Sequence, residues 1–147
     1  MIAAALLISV ACTPAQLHAS FAGSNGYAGT AHIAYSIRNG GRECTLYGYP
    51  QVRALGLRGR HQVPVHHDGR EVLPGLPPRL VRLPHGARAG FVLAVSDVPF
   101  GTPPRAWRAR LVEIRIGNGW LSLGSFDRSD NYGGLYEAPF LAHVPKV

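Results

Sequence analysis

Apolar residues recur at every second position in short runs along this chain. Over residues 31–39, Ile33, Tyr35 and Ile37 point one way while His32, Ser36 and Arg38 point the other. That is the period of a strand with one buried face. The same alternation recurs with Phe91, Leu93 and Val95 over 89–96, and with Val112, Ile114 and Ile116 over 109–116. Shorter extended runs are predicted at 17–21, 52–58 and 80–83. In the second of these the apolar parity shifts between Val52 and Leu55, which predicts a bulge or bend. Gly117-Asn118-Gly119 turns the 109–116 strand into 120–123, a hairpin signal, and Pro84-His85-Gly86 separates two further strands. The β-branched content and strict alternation of 106–116 argue against a helix there. The stretch 59–78 is rich in Gly, Pro and His and reads as a long irregular connection with brief extended pieces at most. In the tail, an edge strand is expected near 140–144. Six to eight short antiparallel strands with turns between them predict an all-β fold, an immunoglobulin-like antiparallel β-sandwich.

Composition sharpens this picture. At 147 residues with 46% hydrophobic and 16% charged positions, the chain is one domain long and able to bury a core without metals. The 18 glycines and 12 prolines are spread as turn punctuation. The net charge of +7 comes almost entirely from arginine, Lys146 being the only lysine. Those arginines are scattered along the chain without basic runs or interleaved aromatics, which argues against a nucleic-acid binder, whose cations concentrate on one stripe.

Residues 1–11 form an apolar run far shorter than a membrane helix needs. It suits the hydrophobic part of a secretory signal ending in Ser9-Val10-Ala11, with 12–147 as the single sandwich domain. A positive n-region is missing, which counts against a signal unless the start codon lies further upstream. Cys12 then has two readings. Leu7-Ile8-Ser9-Val10-Ala11-Cys12 is a degraded lipobox, in which Cys12 would carry lipid and tether the chain to a membrane. Alternatively Cys12 pairs with Cys44, as an even cysteine count in an exported chain favours. Either reading places the protein outside the cytoplasm, secreted, periplasmic or associated with the cell envelope; if residues 1–11 are not a signal, the alternative is a cytoplasmic chain with two unrelated buried thiols.

Candidate chemistry is sparse. His61, His66, His67 and Asp68 are residue types that hold zinc, and His61, His66 and Asp68 would be the ligands of a small metal-dependent hydrolase. Their spacing matches no metalloenzyme motif, and adjacent histidines in an extended chain point apart. No serine sits in a nucleophile elbow, and Asp127 and Asp130 read as a solvated loop. Tyr47 and Tyr49 flank Gly48 and project to one side if the segment is extended; Trp107, Trp120, Tyr132 and Tyr136 follow later. Exposed, such rings would stack on a sugar or anchor a protein partner. The commoner fate of aromatics is the core, and that is the expectation for them as a group. The expected function is non-catalytic: a binding or structural module of the envelope, without cofactor, whose partner is an envelope protein or glycan.

One set of motifs carries a resemblance. Cys12-Thr13-Pro14-Ala15-Gln16-Leu17, then Asn39, Cys44-Thr45-Leu46, Gly48-Tyr49-Pro50 and Leu83-Pro84-His85-Gly86-Ala87-Arg88-Ala89 resemble, in that order, the bacterial exported domain of unknown function numbered 4232. Many relatives carry a second cysteine pair downstream, whereas this chain has no cysteine after Cys44, and His85 is inserted in the Pro-Gly turn. The resemblance implies a secreted or lipid-anchored β-sandwich and a Cys12–Cys44 bond. It implies no activity.

Overall fold

A computed structural model describes residues 9–27, 30–56, 65–66, 77–96, 109–124 and 135–146. After a 3₁₀ turn at Pro14–Gln16, the described strands are β1 (Leu17–Tyr27), β2 (Thr30–Asn39), β3 (Cys44–Tyr47), β4 (Val52–Gly56) and β5 (Val65–His66). They continue with β6 (Leu80–Leu83), β7 (Arg88–Ser96), β8 (Ala109–Ile116), β9 (Gly119–Gly124) and β10 (Leu135–Glu137). They form a five-stranded sheet in the order β1-β2-β7-β10-β5, a pair β3-β6, and a three-stranded sheet β4-β8-β9. Every pairing is antiparallel except β10 with β5.

The architecture is an all-β sandwich. One layer presents Ile33, Tyr35, Ile37, Ala89, Phe91, Leu93 and Val95 inward. The facing layer supplies Leu46, Val81 and Leu83 from the pair, and Val52, Ala54, Val112, Ile114, Leu121 and Leu123 from the three-stranded sheet. These residues form one core, which follows directly from the alternation in each strand. Phe91 lies at its centre between Tyr35, with ring centroids 6.5 Å apart, and Phe140 at 6.0 Å.

Strand β7 is apolar on both faces because both are covered. Its outer residues Val92 and Ala94 pack under Ala138, with Leu141 alongside. The Gly90 amide donates to the Leu141 carbonyl (2.8 Å) and the Leu141 amide donates back (2.9 Å). A Cβ on Gly90 would collide with the His143 carbonyl oxygen, so the tail crosses the sheet where a side chain is missing.

Several expectations change. The tail's strand is β10, earlier than the edge strand expected at 140–144, and it lies inside the sheet between β7 and β5. Beyond it only Leu141 makes an isolated bridge. Strand β1 runs past residue 21 to Tyr27 through a bulge at Phe21/Gly23. Strands β6 and β7 do flank the Pro84-His85-Gly86 turn, but they join different sheets. The shift expected in β4 occurs between Leu55 and Gly56. The β8–β9 hairpin forms as expected, with Gly117 at φ +56°, the left-handed conformation its turn demands. Of the connection 59–78, only Val65–His66 and residues 77–78 are described. No helix among the described residues is long and apolar enough to cross a membrane.

Candidate functional site

Cys12 and Cys44 form a disulfide with Cα atoms 4.8 Å apart, and both are buried. The bond staples the N-terminal segment to β3, along which that segment already lies. The Cys12 amide donates to the Thr45 carbonyl (3.0 Å) and the Thr45 amide to the Val10 carbonyl (2.8 Å). Closing a loop across 32 positions stabilises by about 3–4 kcal/mol in the chain-entropy model. Of the two readings of Cys12, the structure carries the disulfide.

Beside the disulfide sits a buried polar hub. Asn39 is fully buried at the end of β2. Its Nδ2 donates to the carbonyls of Leu83 (2.9 Å) and Arg42 (2.8 Å). Its Oδ1 accepts from the Gly41 amide (2.8 Å) and from Gln16 Nε2 (3.0 Å). The backbone of Asn39 bonds Ala87 and Gly86 in addition, and His85 Nδ1 lies 2.8 Å from the Gly41 carbonyl. The 3₁₀ turn, the end of β2, the turn leading into β3, the end of β6 and the Pro-Gly turn therefore meet on one residue. Each of its hydrogen-bonding positions is filled, as burial requires.

Against β3 and the Ala11–Cys12 strip lies an open cleft of about 350 Å³. Tyr47, Tyr49, Gln51 and Arg115 line it, over a floor that includes Ile116 and Phe140. Tyr47 is 66% exposed and Tyr49 40% exposed. Gly48 between them has φ +80°, a conformation that favours glycine. The Gly48 carbonyl accepts from the Phe140 amide (3.0 Å). That bond ties the rim of the cleft to the aromatic column Phe140–Phe91–Tyr35 of the core. The chain thus presents two tyrosine rings on a bend held from beneath, and the core fate expected for aromatics does not apply to this pair. Tyr47 holds the outward position of β3, whose Cys44 and Leu46 point inward, and that alternation was the signal of its exposure.

Trp120 is half-buried. The Arg53 guanidinium stacks 4.1 Å above its ring and also pairs with Glu113 at 2.7 Å. The outer face of the three-stranded sheet thus carries a cation–π and ion-pair ladder. Trp107 and Tyr132 lie outside the described residues, and Tyr136 is described in its backbone alone. Of the expected metal ligands, His61 and Asp68 lie outside the described residues, as does His67, and only the backbone of His66 is described, in β5. Among the described residues no cluster of His, Cys, Asp or Glu has the makings of a metal centre.

A two-layer antiparallel sandwich, closed at one end by a disulfide beside a buried asparagine hub, defines the class of protein. Within that class the chain belongs to the family described as a domain of unknown function, DUF4232, whose model matches residues 12–118. The matched span holds both cysteines, Asn39, the two exposed tyrosines and Arg115. Comparison with curated proteins finds no match, and comparison with solved structures finds none.

Proposed function

We propose that this protein is a non-catalytic, extracytoplasmic binding module of the bacterial cell envelope, and that the cleft at Tyr47 and Tyr49 holds an envelope glycan. The observation that carries the reading is the exposure of two tyrosines, 66% and 40%, on a bend anchored to the core. A large apolar ring costs free energy in water. Placed beside a guanidinium (Arg115) and a carboxamide (Gln51), it offers a face for a sugar ring and donors for its hydroxyls. Preorganisation through the Gly48–Phe140 bond reduces the ordering cost of binding. The disulfide supports a working place outside the cytoplasm, since such bonds persist in oxidising compartments.

The test is co-sedimentation of the oxidised protein with insoluble peptidoglycan sacculi and with the polysaccharide released from the same walls. The wild type is expected to pellet with the sacculi and to be competed off by the soluble glycan, and the double variant Tyr47→Ala/Tyr49→Ala to lose at least tenfold in affinity. Equal retention of wild type and double variant, or no retention of either, contradicts the reading. Both substitutions are on the surface, so an unchanged melting temperature certifies that the variant is folded.

A further inference from the structure

The arginines that look scattered in sequence are partly gathered by strand register. On the outer face of the five-stranded sheet, His18 of β1 stands opposite Arg38 of β2, and Arg38 stands opposite Arg88 of β7. Three basic residues that are 20 and 50 positions apart in the chain therefore lie abreast on neighbouring strands, roughly 5 Å from one to the next. All three are exposed. The next rung on the same face is Ser20, Ser36 and Gly90, and Arg88 Nη1 donates to Ser36 Oγ at 3.0 Å.

Like charges directly opposite one another in a sheet destabilise it, so Arg38 facing Arg88 calls for a compensating anion. The described residues do not supply one. Glu43 and Glu113 are the carboxylates whose side chains are described, and each is already committed, Glu43 to Arg82 at 2.9 Å and Glu113 to Arg53 at 2.7 Å. The tail adds to the imbalance rather than relieving it. Pro145 packs over Gly90, in the adjoining rung, and is followed by the exposed Lys146.

We propose that His18, Arg38 and Arg88, with the hydroxyl of Ser20, form a surface site for the phosphates of an extended anionic polymer, while the buried Ser36 hydroxyl holds the Arg88 guanidinium in place. The guanidinium fork matches phosphate oxygens in pairs. Cations repeating across the strands present an edge that a chain of phosphates follows better than a lone anion does. The neighbouring rung is serine and glycine, and the His18 imidazole is the one ring among the site's residues, where a nucleic-acid platform uses several, so the polymer is a phosphate chain of the envelope kind rather than a nucleic acid. This site lies on the opposite layer from the tyrosine cleft and does not depend on it.

The experiment uses the full, oxidised protein with linear polyphosphate as the probe. Binding is expected to weaken steeply with NaCl. Arg38→Gln/Arg88→Gln is expected to lose at least tenfold in affinity, and Arg79→Gln, an exposed arginine at the start of β6, less than twofold. Equal losses in the two variants, or no loss in the double variant, mean a diffuse basic surface and overturn the proposal. Tighter binding of single-stranded DNA than of polyphosphate at equal charge overturns the choice of polymer. A readout without ligand is the melting temperature at low salt. Arg38→Gln alone is expected to raise it, with the gain shrinking as NaCl is added, and a fall would mean that Arg38 already has an anionic partner.

Discussion

Asn39 is a polar residue that the fold cannot spare. Its amide is wholly buried and bonded four ways, so truncation takes a partner from the Leu83 carbonyl and the Gly41 N–H, while Gln16 Nε2 and the Arg42 carbonyl keep their bond to each other. A buried group left unpaired costs about 1–3 kcal/mol. Asn39→Ala is therefore expected to destabilise the protein by about 3–5 kcal/mol, at the upper end of single substitutions, read as a fall in the urea midpoint at unchanged slope. Tyr35 adds a pH signature. Burial pushes its phenol up to about 12, against about 10 in an unfolded chain. The folded state then holds this proton more tightly, so the associated stability is present in full below pH 10 and is lost as pH rises from 10 towards 12. The loss is on the order of 3 kcal/mol, since each pKa unit is worth about 1.4. Unfolding curves at pH 9 and 11.5 are expected to show it in the wild type and to show it greatly reduced in Tyr35→Phe. At this scale the sequence was only partly legible. Asn39 stood out as one letter of a motif, but four partners drawn from three segments leave no local trace. Tyr47 and Tyr49 fall under the general expectation that rings are core, yet the parity of β3, with Cys44 and Leu46 inward, already puts Tyr47 outside.

Elements were more legible than residues, because period-two alternation records which face is buried. Strands β2, β7 and β8 and the β8–β9 hairpin all lie where alternation and turn chemistry placed them. Strand β10 was missed for a physical reason. It is only three residues long and pairs on both sides, with β7 and β5, so it offers no run long enough for alternation to appear. Sheet membership was equally hidden, since β6 and β7 adjoin in sequence and part company at the Pro-Gly turn. The double-sided burial of β7 depends on the tail, and Gly90 is where that dependence is sharpest. Gly90→Ala drives a methyl into the His143 carbonyl and against Pro145. The tail is expected to lift, with loss of hydrogen-exchange protection at the Gly90 and Leu141 amides and a destabilisation of about 1–3 kcal/mol from overpacking. Unchanged protection there would mean that the tail tolerates the added bulk.

At the scale of the molecule, charge and covalent closure matter most. A net charge of +7 reads from composition as a generic basic surface, yet register brings Arg38 and Arg88 face to face. Sequence spacing hides such a pairing because it depends on how β1, β2 and β7 align. The disulfide was legible from cysteine count and the signal-like start. What the count could not convey is that Cys12 lies next to the tyrosine cleft, so the staple and the proposed binding surface belong to one end of the fold. Reducing the bond is expected to loosen the N-terminal strip beside β3 and with it one wall of the cleft.

The claim on which the rest stands is that the chain works outside the cytoplasm with Cys12 committed to Cys44. The most direct measurement is the intact mass of the protein recovered from the medium and the envelope of its native host, before and after reduction. The expected species is a chain beginning near Cys12 that gains the mass of two hydrogens on reduction. A diacylglycerol-sized increment on Cys12 with a free Cys44 thiol, or a full-length chain in the cytoplasm with both thiols free, would contradict it.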